Sequence, residues 1–181
     1  MTAEGSIPIA ARLNAGTSCR LTLVIVPSGL SSGSIRSADA VRRWAAELEE
    51  DVAWVALTPA HNEPARFLGA LIGALGDLYP PVEELAAEIQ PAPPSKSRAS
   101  LDRGLTDLLN ALLPLDRPAL LILENYDAID NPVIHDSLGW MLDYLPPRLR
   151  LVMINGSEPP IPNLARLRVR RQLVELRIEP Q

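Results

Sequence analysis

The sequence predicts an α/β fold: a five-stranded parallel sheet with helices on both faces. Three observations carry that prediction. Short aliphatic runs, LTLVIV (Leu21–Val26), VAWVAL (Val52–Leu57), ALLIL (Ala119–Leu123) and LRLVMI (Leu149–Ile154), are nearly continuous rather than alternating. Such runs suit strands buried on both faces. They alternate with segments of helical apolar spacing, an order that builds parallel sheets. The chain has 181 residues, 47% of them hydrophobic, enough for one real core.

The elements follow in order. Residues 1–18 read as an N-terminal tail with at most one helical turn. After the first strand, Arg36–Glu50 places Ala38, Val41, Trp44, Ala45 and Leu48 on one helical face. Glu63–Leu78 follows the second strand with Phe67, Leu68, Leu71, Ile72 and Leu75 on one side. Composition then shifts: residues 79–100 form a proline-rich insertion within the single domain 19–178, with a short helix over Val82–Ile89 and a loop over Gln90–Ser97. Leu101–Leu113 returns to a helical pattern before the third strand. Val133–Leu145 is helical and stops at Pro146-Pro147. Leu164–Arg170 reads as a short helix after the fourth strand, and Gln172–Ile178 as the fifth strand.

Composition excludes several classes. With one cysteine, Cys19, there is no disulfide framework and no multi-cysteine metal site. No basic, apolar leader is visible and no apolar run approaches the ~20 residues of a membrane span, so a cytoplasmic chain is expected. A net charge of −5 argues weakly against a nucleic-acid partner. Lys96 is the only lysine.

The stretch LTLVIVPSGLSSGSIRSADAVRRW (Leu21–Trp44) raises the central question. It runs from strand to helix through a Gly/Ser-rich turn, where a nucleotide-binding protein holds phosphate, yet it contains no lysine. Together with VAWVALTPAHNEPARFLGALIGAL (Val52–Leu75) and LLILENYDAIDNPVIHDSLGWMLDYLPPRLRLVMINGSEPPIPNLARLRVRRQLVELR (Leu120–Arg177), it resembles the nucleotide-binding domain of MalT-like, LuxR-type large transcriptional regulators. These are STAND-class signalling ATPases of the NACHT/NB-ARC-like type. The resemblance runs from about Leu13 to Arg177. It implies a three-layer P-loop NTPase-like fold with strand order 2-3-1-4-5, strand 1 lying between strands 3 and 4.

Three motifs of that family are present in altered form. The family's phosphate loop is roughly P-A-G-x-G-K-T-T-L-L-x-x-W. Pro27, Ser28 and Gly29 match its start and Trp44 its end, but the interval is about five residues longer and lacks Lys. Ser31, Ser32, Gly33, Ser34 and Arg36 occupy it. An Arg does not replace the point charge of a lysine. A lost charged hydrogen bond of about 1.5–3 kcal/mol weakens binding roughly tenfold to a hundredfold. The loop is therefore an ordinary turn, a weak phosphate binder or, least favoured, a full catalytic loop. At the end of strand 3 the family has two acids and Y-H-x-I-D, for Mg²⁺ and the attacking water. Here stand Glu124, Asn125, Tyr126 and Asp127, so the second carboxylate is missing. After strand 4 the family has T-S-R, whose Arg senses the terminal phosphate. Asn155 and Gly156 replace Ser and Arg.

His61 and His135 lack acidic or cysteine partners at ligand spacing and read as structural. The run ARLRVRRQLVELR (Ala165–Arg177) carries five arginines, a solvated surface or an anion- or DNA-steering one. No catalytic residues, metal ligands or cofactor are expected, although weak Mg-dependent ATP or ADP binding stays open. Three functions compete: a non-catalytic regulatory or interaction module, a nucleotide-binding switch without turnover, and an unusual ATPase. The initial Met and a chain that stops with the sheet suggest an independent protein without a helix-turn-helix reader, the alternative being one domain of a larger regulator. It is then expected to meet a protein partner or a second copy, and to bind neither DNA nor membrane directly.

Overall fold

Each aliphatic run becomes a strand and each helical spacing a helix in the computed structural model, which describes residues 9–16, 18–26, 31–88 and 98–178. The strands are β1 Leu21–Ile25, β2 Asp51–Ala56, β3 Ala119–Glu124, β4 Leu149–Asn155 and β5 Leu173–Arg177. The helices are α1 Ile9–Ala15, α2 Ser31–Ala46, α3 Pro64–Gly76, α4 Pro80–Glu88, α5 Arg98–Leu112, α6 Pro132–Asp143 and α7 Leu164–Val169. Short 3-10 turns cover Pro59–Asn62 and Tyr126–Ala128. No described helix is long and apolar enough to cross a membrane.

All strand pairs are parallel, in the order β2-β3-β4-β1-β5. The fold class is as expected, but the strand order 2-3-1-4-5 is not. β1 lies between β4 and β5, with Ile25 opposite both Asn155 and Arg177. β1, β3 and β4 are almost wholly buried, whereas β2 and β5 alternate and form the edges. Three equally apolar runs carry no information about which neighbours which, so the sequence separates edge from interior and cannot rank the interior.

The two faces are unequal. Leu21, Leu23 and Ile25 face a large core shared with α3, α5, α6 and α7, while Val24 and Val26 face a smaller one built by Leu13, Val41, Trp44 and Ala45. This alternation is the period-2 geometry of a strand. The second core changes the reading of residues 1–18 as a tail: Ile9–Ala15 is helix α1, and its Leu13 is 1% exposed. Trp44 donates its Nε1–H to Asn14 Oδ1 at 2.8 Å, and Arg12 donates to the Arg177 carbonyl. One buried Leu on a seven-residue helix is too little periodicity to see in the sequence. Within the proline-rich stretch, α4 begins at Pro80, where a missing N–H costs nothing. The segment 89–97, with Lys96, lies outside the described residues.

Helix contacts explain some of the small residues. Gly104 of α5 sits against the isobutyl group of Leu68, itself buried on α3, and a Cβ there would run into its methyl groups. Ser137 of α6, fully buried, donates to Asp102 of α5 at 2.6 Å. Gly104→Ala is expected to destabilise the chain by roughly 1–3 kcal/mol through overpacking, read as a lower urea midpoint at unchanged slope.

Candidate functional site

In an open parallel sheet, ligands bind outside the carboxyl ends of the strands, where neighbouring strands send their connections in opposite directions. Here that point is β1/β4. The chain leaves β1 towards β2, and leaves β4 across β1 to β5. The Val26 N–H donates to the Asn155 carbonyl at 2.7 Å, closing the last rung. Asn155 and Gly156 stand at this crevice at the end of β4, and Glu124 ends the adjacent strand β3.

Pro27, Ser28 and Gly29 lie outside the described residues. Ser31, Ser32, Gly33, Ser34 and Arg36 fall in the first turns of α2, which starts at Ser31 and not at Arg36 as the spacing predicts. Residues 31–35 before the predicted start therefore belong to the helix. Ser and Gly are poor helix-interior residues, so apolar spacing alone misses this start.

Glu124 ends β3 with its side chain 13% exposed. Its Oε2 accepts from Arg42 Nη2 at 2.9 Å and from Trp54 Nε1 at 2.8 Å. The Arg42 guanidinium also lies 5.0 Å from the Trp54 ring centroid, within cation–π reach. The carboxylate that ends β3 is thus engaged by a cation and an N–H donor of its own chain. Sequence reasoning missed both partners because they lie 82 and 70 residues away, on α2 and β2.

Asn125 turns the chain with φ of 59°, in the left-handed region that Asn tolerates better than most residues. That turn aims Asp127 at the loop after β4. Asp127 Oδ2 accepts the Gly156 N–H at 2.5 Å, and Oδ1 accepts from the Ser157 hydroxyl at 3.3 Å. Asp127 therefore joins the altered acidic end to the altered sensor. Asn155 stands apart: it is 3% exposed, and neither its Oδ1 nor its Nδ2 has a hydrogen-bond partner. An unpaired buried amide costs about 1–3 kcal/mol, and native structures hold few of them.

A second set of polar residues holds this end rigid. Asn62 donates to the Ala128 carbonyl at 2.8 Å and accepts the N–H groups of Asp130 and Asn131 at 2.8 and 3.1 Å. Asn131 returns a bond to the Asn62 carbonyl and caps α6 at Val133 N. Tyr126, 1% exposed, shares a 2.8 Å hydrogen bond with Nδ1 of the buried His135. His61 caps its own turn through Thr58. Both histidines are thus structural, and no cluster of metal-ligating side chains occurs among the described residues.

The architecture defines the class as a three-layer α/β fold built on a five-stranded parallel sheet. The crystal structure of Cdc6p from Pyrobaculum aerophilum shares the fold, with a TM-score of 0.51 at 13% identity, over 96% of this chain and 48% of that one. The particular resemblance is to MalT-like regulators. The chain is 30% identical over 169 residues to the HTH-type transcriptional regulator MalT of Cronobacter sakazakii, and 33% identical over 170 residues to that of Serratia proteamaculans. Each match covers 92% of this chain, which spans only 17% of the length of either relative. No family model matches the chain.

Burial holds the pKa of His135 below its ordinary 6.5, against the opposing pull of Asp130 and Asp136. The unfolded chain therefore takes up a proton near pH 6.5 that the folded chain refuses. Stability should fall as pH drops below about 6.5 and level off beneath the folded pKa. Thermal midpoints between pH 7.5 and 5 should show this slope, and His135→Gln should flatten it.

Proposed function

We propose that this chain is a non-catalytic, pseudo-ATPase domain of the MalT/LuxR regulator type, serving transcriptional regulation in the cytoplasm as a regulatory or protein-interaction module. The observation that carries this reading is the engagement of Glu124 by Arg42 and Trp54. Catalysis of phosphoryl transfer rests on positioned cations and a free carboxylate for metal. Here the carboxylate is already neutralised within the chain. Arg42 is half exposed, so the pair adds little stability, within about 1 kcal/mol. Its significance is electrostatic, because a Mg²⁺ ion at Glu124 would have to share the carboxylate with a guanidinium already held on Oε2. The missing loop lysine, the Asn at 125 and the Gly at 156 point the same way.

The unpaired amide of Asn155 favours a second reading: a nucleotide-binding switch without turnover. A buried polar side chain at the β1/β4 crevice suits a phosphate or a ribose hydroxyl better than it suits its present surroundings. In that reading the altered loop, Pro27 to Arg36, is a weak phosphate cradle.

Thermal unfolding with and without millimolar Mg-ADP and Mg-ATP separates the two. The expected result is no shift and no phosphate release. A ligand at 100 times its dissociation constant adds about 2.7 kcal/mol, several degrees for a chain of this size. A shift of that size without turnover would replace the first reading with the second, and turnover abolished by Glu124→Gln would sink both.

A further inference from the structure

The opposite end of the sheet, where the strands begin, carries a different chemistry. Its order is fixed by a row of backbone bonds: Asp51 N to Pro118 O, Ala119 N to Arg148 O, Leu151 N to Arg20 O and Leu21 N to Gln172 O. The residues just ahead of each strand therefore line up as β2, β3, β4, β1, β5. Charge is sorted along that row. Glu49, Glu50 and Asp51 stand at the β2 edge, Asp116 and Arg117 together ahead of β3, Arg148 ahead of β4, and Arg170 and Arg171 at the β5 edge. Several nearby arginines are committed: Arg20 to the carbonyls of Leu142 and Asp143, Arg166 to Asp143, and Arg168 to Glu158 and Glu175. Arg117, Arg148, Arg170 and Arg171 are exposed and form no ion pair among the described residues.

The exposed large hydrophobic residues gather at the same end. Among the described residues these are Leu113, Tyr144 and Val169, at 64%, 62% and 85% exposure. Leu113 and Tyr144 lie on the α5–β3 and α6–β4 connections, and Val169 is the last residue of α7. Tyr144 stacks on Trp140 at 5.0 Å, which stiffens the aromatic surface. The ion pair Arg166–Asp143 ties the Tyr144 turn to the helix that ends in Val169. Arg171 adds a third sign. It holds φ of 55°, a left-handed position after a helix where glycine is strongly preferred. Its N–H donates to the Arg168 carbonyl at 3.0 Å, and its carbonyl accepts from the Cys19 thiol. A cation stands where the backbone favours glycine, and such positions cluster at binding and switch sites.

We propose that this end of the sheet docks an acidic, amphipathic segment of a partner protein. The proposal rests on the interaction-module reading and names its surface. Carboxylates of the segment pair with Arg148, Arg170 and Arg171, and its apolar side chains cover Tyr144 and Val169. Aromatic residues and arginine are the groups that most often anchor protein interfaces. A nucleic acid fits less well, because its backbone leaves the apolar residues uncovered and the β2 edge of the same row is acidic.

The test uses the full chain and two fluorescent 18-residue probes, one with Glu and one with Lys opposite the same Leu face. Fluorescence anisotropy should show the Glu/Leu probe binding, more weakly as salt rises. The Lys/Leu probe and a 20-base-pair duplex should not bind. Arg170→Glu with Arg171→Glu, and separately Tyr144→Ser with Val169→Ser, should each weaken binding at least tenfold. Arg171→Gly should weaken it while leaving the thermal midpoint unchanged or higher, which a purely structural arginine would not do. Absent binding, equal binding of both probes, indifference to these substitutions or preference for the duplex would overturn the proposal. So would self-association in sedimentation that the same charge reversals abolish, since the face would then belong to a second copy. ATP turnover bears only on the pseudo-ATPase reading, and failure of the peptide probes leaves that reading standing.

Discussion

Burial of the central strands on both faces is the constraint on which everything else depends. β1, β3 and β4 are buried along nearly their whole length, so most of their side chains can only pack. Polar chemistry is thereby confined to the two ends of the sheet. At the carboxyl end it meets the crevice between β1 and β4. At the amino end it meets the connections from α5, α6 and α7. The domain works as a slab with two chemically distinct rims, and the long aliphatic interior keeps them rigidly registered.

The carboxyl rim is nearly self-satisfied. Glu124 has Arg42 and Trp54, Asp127 has Gly156 and Ser157, and Asn62 and Asn131 close the loop between them. In a working P-loop enzyme such groups stay poised for a metal and a phosphate chain, and their partners arrive with the ligand. Here most of the partners are supplied by the chain itself. Two of the altered motif positions have local structural roles: the αL geometry suits Asn125, and the backbone N–H at Gly156 donates to Asp127. Only Asn155 keeps the character of an open position.

Much of this was legible in the sequence. The five strands and the major helices follow from aliphatic runs and 3.6-residue spacing, because burial on one or both faces writes itself directly into residue type. The motif departures at Glu124, Asn125 and Gly156 were equally visible. What stayed hidden is contact across distance. Arg42 looks like any solvated helix residue until β3 places Glu124 beside it. Asn62 looks like a turn residue until the Tyr126–Ala128 turn comes within its reach. The order of β1 against β4 was hidden for a different reason, since equal hydrophobicity carries no address. Helix α1 was legible only as a single turn within a tail, because a single buried Leu supports it.

The three tryptophans give the domain an optical map of itself. Trp44 reports on the layer of α1 and α2 through its bond to Asn14. Trp54 touches the Glu124 carboxylate and the Arg42 cation, so its emission is sensitive to charge at the carboxyl rim. Trp140 leans on Tyr144 at the far end. A set of variants that each keep one indole would thus resolve events at one rim, at the other and in the layer of α1 and α2 as three separate spectra, without an added label.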